Sequence, residues 1–122
     1  MTAEALLQEA AAYQSQLIQT RRYLHTHPGI GFDIADTKEY VKQELTAIGY
    51  QPLDCGKAGI AALAGGLHPG KVFLIRGDMD ALPIKEEADV PFASTNGKMH
   101  ACGHDMHTTM LLGAAMLLKE HR

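Results

Sequence analysis

Residues 99 to 107 read Met-His-Ala-Cys-Gly-His-Asp-Met-His, crowding three imidazoles, a thiol and a carboxylate onto one short stretch of chain. Soft sulfur, borderline nitrogen and hard oxygen donors converging in this way describe the inner shell of a transition-metal site. After the cluster, Met110, Leu111, Ala114, Leu117 and Leu118 recur at the spacing of a buried helical stripe, so the donors sit at the entry turn of a helix beginning near Met106. Upstream, Arg76-Gly77-Asp78-Met79-Asp80 places two carboxylates straight after the apolar run Val72-Phe73-Leu74-Ile75. Open α/β sheets put their chemistry at the carboxyl ends of strands. Any fold for this chain must bring a strand end and a helix entry turn together.

The rest of the chain supplies elements to do so. Leu6, Ala10, Tyr13, Leu17 and Leu24 predict a first helix ending near Thr26, where His27-Pro28-Gly29 breaks it, and Pro28 to Gly31 forms a turn. A second helix starts at Asp36 as N-cap, with Glu39 in capping-box position. It carries Tyr40, Val41, Leu45 and Ile48 inward and stops at Gly49. Strand character follows in Tyr50 to Leu53, Gly59 to Ala64 and Val72 to Arg76, the last two arranged as a hairpin. Ala81 to Lys98, with Pro83, Pro91 and Gly97, is a long loop, and long ordered loops are usually functional. The fold class expected is α/β, a sheet flanked by helices. With no strand after the last helix, it looks like the opening part of a larger domain.

Composition narrows the function. A chain of 122 residues, 46% hydrophobic and 20% charged, belongs with globular domains, and a net charge of −3 lacks the basic face that nucleic acid or an anionic membrane would need. No apolar run approaches the ~20 residues of a membrane span, and no signal peptide is visible. A cytoplasmic location is the default expectation. There Cys55 and Cys102 stay reduced, Cys55 as a small buried hydrophobe and Cys102 as a ligand or reactive thiol.

Each chemistry-bearing residue has a competing structural role. Cys102 and His104 flank Gly103, whose freedom lets both donors reach one ion or two adjacent ions; the alternative is a buried thiol beside a helix-capping histidine. His100, Asp105 and His107 shift the balance toward metal. For His107 the sequence leaves open a ligand, a second-sphere donor, a group polarising substrate, or a solvent-facing first-turn histidine. Asp105 most simply caps the helix, and otherwise orients His104. Asp78 and Asp80, two apart on an extended strand end, point the same way and repel unless a cation or Arg76 neutralises them; the alternative is a turn cap and a solvated carboxylate. His25 and His27 read as imidazoles favoured at a helix C-terminus, and Glu86 and Glu87 as solvated surface. A nucleophilic Cys102 with His104 or His107 as base is disfavoured, because residues so close in sequence rarely meet in the required geometry.

Taken together, Leu24-His25-x-His27-Pro28, Gly31-Phe32-Asp33, Thr37, Arg76-Gly77-Asp78-Met79-Asp80-Ala81-Leu82-Pro83 and Met99-His100-Ala101-Cys102-Gly103-His104-Asp105-Met106-His107 resemble a known family. It is that of the metal-dependent amidohydrolases related to aminoacylase, hippurate hydrolase, N-acetyldiaminopimelate deacetylase and indole-acetyl-amino-acid hydrolase. The resemblance implies a zinc-peptidase-like catalytic domain and a two-metal site, zinc or manganese first and cobalt or nickel also accepted, that cleaves the amide bond of N-acyl amino acids. It implies Cys102 and His104 as metal ligands, Asp80 as the acidic residue steadying the site, Asp78 where distant relatives carry a ligand histidine, and His107 close to the metals. Gly29-Ile30 and Asp33 stand where the family often has Glu-Leu and Glu. The family's catalytic Glu, a ligand Glu, two further ligand histidines and a dimerisation domain come after the matching segment. Residues 1–122 are therefore expected to be an incomplete N-terminal portion, inactive alone, with no catalytic residue of its own. The alternative is a noncatalytic remnant that binds metal or self-associates, and an unpaired sheet edge makes a homo-oligomer the expectation.

Overall fold

The computed structural model describes residues 1–122. Helices α1 (Ala3–Ala12), α2 (Gln14–Thr26) and α3 (Ala35–Ile48) precede a hairpin of β1 (Leu53–Cys55) and β2 (Gly59–Ala61), and α4 (His104–Glu120) follows a long irregular stretch. The architecture is thus mixed: four helices and one small two-stranded sheet. No helix is long and apolar enough to cross a membrane.

Helix α4 is the centre of the packing. Leu112 and Ala115 on α4 meet Leu24 of α2, Val41 and Leu45 of α3, and Tyr50 just beyond Gly49, with Tyr40, Ile48, Ile60 and Met79 around them. The Leu17 side chain of α2 packs directly onto α4 at Gly113, where a Cβ would come within 3.1 Å of Leu17 Cδ1. The Tyr50 hydroxyl crosses the core to donate to the Ala115 carbonyl at 2.7 Å. Gly49, at φ 113°, ends α3 in the left-handed conformation as the sequence predicts.

Several expectations are corrected. The first helix is two, parted at Tyr13, whose amide bonds Ala10 in a tight 3₁₀-type turn before Leu17 resumes the α pattern on the Tyr13 carbonyl. No proline or glycine forces this break, so periodicity alone does not reveal it. Helix α3 begins at Ala35 with no side-chain cap at Ile34; Asp36 lies inside the first turn, where the helix dipole favours it, and Glu39 accepts instead from Gln43. Helix α4 starts at His104, and its buried stripe is rotated from the predicted one: Thr108, Thr109, Leu112, Gly113, Ala115 and Met116 are buried while Met110 and Leu118 are exposed. Cys55 is exposed rather than buried, and neither cysteine is paired.

The hairpin also differs. Leu53 pairs with Ala61, Asp54 with Ile60 and Cys55 with Gly59, across a tight turn in which Gly56 takes φ 66°. Val72 to Arg76, expected to pair with the Gly59 to Ala64 run, forms no ladder: Val72 is 91% and Leu74 92% exposed. Its composition suits a strand, but a strand needs a neighbour for its backbone groups, and the run pairs with none. The α/β expectation therefore holds only at the coarser level of helices plus a small sheet. Loop 81–98 is irregular as predicted, and a reciprocal pair of hydrogen bonds between Leu82 and Met99 closes its base.

Substituting Leu24, 1% exposed at the α2–α4 contact, by alanine is expected to cost about 2–5 kcal/mol. Tyr50→Phe, which removes one buried hydrogen bond, is expected to cost about 1 kcal/mol. Urea denaturation measures both, and equal, negligible effects would contradict this placement of the core.

Candidate metal centre

The closed base of loop 81–98 carries Asp78 and Asp80 beside the segment that enters α4. Gly103, at φ 89°, is the turn residue that swings the chain into the helix. One helical step apart, His104 and His107 emerge on the same face of α4, with ring centroids 5.4 Å apart. The Thr108 hydroxyl donates to the Asp78 carbonyl at 2.7 Å and fixes the segment bearing Asp78 against the helix. Gly77 sits under His107 and Leu111, where a side chain would crowd them.

Asp78, His104 and His107 converge. Asp78 Oδ1 lies 2.6 Å from His107 Nδ1, and Oδ2 lies 3.3 Å from His104 Nε2. One ligand atom from each of these three side chains falls within 4.8 Å of the other two, a separation that a single ion can bridge. The hydrogen bond from His107, against a smaller opposing effect of desolvation, holds the Asp78 carboxyl below its ordinary value. Asp80 reaches the other side of His104: its carbonyl and Oδ1 each lie 2.9 Å from Nδ1. A ring that gives its Nδ1 proton to Asp80 presents the Nε2 lone pair toward Asp78, the orientation a metal-binding histidine takes from a carboxylate behind it. Both carboxylates thus face His104, whereas Arg76 is exposed and pairs with neither.

The remaining expected residues divide. Cys102 is exposed on the turn before His104 and is not among the three converging side chains. His100 is buried with both ring nitrogens unpartnered, and burial pushes its imidazole below its ordinary value. Asp105 accepts the Met106 amide in the first turn of α4, as a capping carboxylate does, and makes no hydrogen bond with His104. Its side chain is fully buried on the opposite side of the turn, where Oδ2 accepts from Arg21 Nε at 2.9 Å and lies 2.8 Å from His25 Nδ1. His25 does lie in the last turn of α2, but it is buried between two carboxylates, and its Nε2 lies 2.9 Å from each oxygen of Glu86. The reading of Glu86 as solvated surface fails: its side chain is 1% exposed. Glu87 is exposed as expected. Burial pushes the Glu86 carboxyl up, but His25 and the Ser94 amide outweigh it and leave it below its ordinary value. Arg21, Glu86 and Ser94 were not expected near the site, and nothing in their spacing signals it.

Comparison with known proteins finds relatives of this chain. The family model of peptidase family M20/M25/M40 matches residues 74–122, the segment that holds every residue of the converging group. N-acetylcysteine deacetylase of Bacillus subtilis is 43% identical over 91% of this chain and 30% of its own length. N-acyl-L-amino acid amidohydrolase of Geobacillus stearothermophilus is 43% identical over all of this chain and 34% of its own. The crystal structure of the Bacillus subtilis YXEP protein, described as a dinuclear metal binding peptidase of the M20 family, superposes with a TM-score of 0.86 at 43% identity. It covers 92% of this chain and 32% of that one. The chain spans about a third of the length of the relatives it matches. By its motifs, its fold and these likenesses, the chain is similar over nearly its whole length to part of the proteins of peptidase family M20/M25/M40.

Proposed function

We propose that the chain carries the metal-binding part of a hydrolase that cleaves the amide bond of N-acyl amino acids. The observation that carries this reading is the convergence of Asp78, His104 and His107 at the mouth of α4, with Asp80 orienting His104 from behind. Two imidazoles and a carboxylate suit a borderline divalent ion, zinc or manganese first. Cys102, on the same turn and exposed, supplies a thiolate to that centre, and His104 a ring nitrogen. An ion bound there contributes Lewis acidity, polarising an amide carbonyl and acidifying water. The protein's own part is to hold the donors: Asp80 keeps His104 in one tautomer, and Thr108 keeps Asp78 against the helix. The substrate class follows from relatives that act on N-acetylcysteine and N-acyl-L-amino acids, and the second ion from the relative described as dinuclear.

Zinc titrated into the metal-stripped chain by calorimetry is expected to bind, and His104→Ala to weaken binding more than Cys102→Ala. Equal affinity in wild type and the Cys102→Ala, His104→Ala double variant would refute the assignment.

No glutamate stands beside the three converging side chains, since Glu86 is engaged elsewhere and Glu87 faces solvent. Metal-assisted hydrolysis needs a base to accept the water proton. The 122 residues alone, incubated with zinc, manganese or cobalt and N-acetylcysteine or hippurate, are expected to release amine no faster than metal alone; turnover that disappears in Cys102→Ala would overturn that expectation.

A further inference from the structure

We propose that Arg21, His25 and Glu86 are positioning residues for the metal centre, setting the directions of His104 and His107 through Asp105. This rests on the metal-site reading above.

The four side chains form a hydrogen-bonded chain, buried at His25, Glu86 and Asp105 and partly exposed at Arg21, that crosses three parts of the fold. Arg21 and His25 lie on α2, Asp105 on the first turn of α4, and Glu86 in loop 81–98. Asp105 Oδ2 meets both α2 donors, and Oδ1 takes the Met106 amide at 2.9 Å, so the carboxylate is held from both ends. Because Asp105 lies between His104 and His107 in sequence and points the opposite way, fixing it fixes the rotation of the turn that carries them. A metal site tolerates roughly 0.5 Å of looseness in its ligands.

His25 extends the constraint to the other half of the site. Each of its nitrogens faces a carboxylate. Glu86, on its far side, also accepts the Ser94 amide at 2.7 Å, which gathers the loop around one carboxylate. The ends of that loop are closed by Leu82 and Met99, next to Asp80 and His100. One imidazole therefore couples the segment bearing Asp78 and Asp80 to the helix turn bearing His104 and His107. Phe92 covers the assembly, its ring 5.6 Å from the His25 ring and edge-on to it, with the Arg21 guanidinium 5.1 Å from its centroid.

Stability alone is a poor account of this cluster. Burying the Asp105 and Glu86 carboxylates costs desolvation that well-packed apolar residues would avoid, so the return is in fixed geometry. None of the three positioning residues belongs to the converging donor set.

The test is cobalt(II) titration of the metal-stripped chain, followed by visible absorption at low temperature, for wild type, His104→Ala, His25→Ala and Glu86→Gln, with circular dichroism on each. Wild type should develop a d–d band that His104→Ala loses. His25→Ala and Glu86→Gln should keep the helical signal, bind cobalt about 10–100-fold more weakly, and show a d–d band of changed energy or intensity at saturation. If His25→Ala loses its helical signal, Glu86→Gln, which preserves shape and an acceptor for Ser94, carries the test. Folded variants with wild-type affinity and spectrum would overturn the positioning role while leaving the metal site intact; a wild type without a His104-dependent band would overturn both.

Discussion

The buried carboxylate of Asp105 is the constraint around which this fold is arranged. A buried carboxylate is tolerated only beside opposite charge and hydrogen-bond donors, so Arg21 and His25 face it, and this fixes how far α2 is rotated and slid along α4. Gly113 permits the same alignment by letting Leu17 close onto α4 without a side chain between them. Apolar packing of Leu24, Val41, Leu45, Leu112 and Ala115 then fills the core. Hydrophobic contact is non-directional and would allow neighbouring registers. The ion pairs select one.

The candidate metal centre is built on the other face of the same turn. Helical spacing puts His104 and His107 together, Asp78 meets both, and Asp80 holds His104 from behind. A cluster of imidazoles and carboxylates at a helix entry has little apolar material to rigidify it, and here rigidity comes from hydrogen bonds: Thr108 to Asp78, and the closed loop base at Leu82 and Met99. The site and the core are thus two faces of one structural decision at the start of α4.

Sequence made part of this legible. The donor-rich string from His100 to His107 and the paired aspartates identify chemistry by residue type and spacing, which depend on local structure alone, and His104, His107 and Asp78 do come together. The break at Tyr13 and the rotated stripe of α4 were not legible, because Ala-rich and Leu-rich segments satisfy several helical phases equally well. Glu86 was hidden for a different reason. A glutamate in a proline-flanked loop looks solvated until tertiary structure brings an imidazole 61 residues away in sequence against it. The run Val72 to Ile75 has the composition of a strand, but composition cannot say whether a partner is present to complete its hydrogen bonds.

The central claim is that Asp78, His104 and His107 share one divalent ion with the thiolate of Cys102 in the same centre. X-ray absorption fine structure at the zinc edge of the zinc-loaded chain tests it most directly. The account predicts nitrogen and oxygen neighbours at about 2.0–2.1 Å, outer-shell scattering from imidazole rings, and a sulfur neighbour near about 2.3 Å that disappears in Cys102→Ala. A shell of oxygens alone, with neither imidazole scattering nor sulfur, would contradict it.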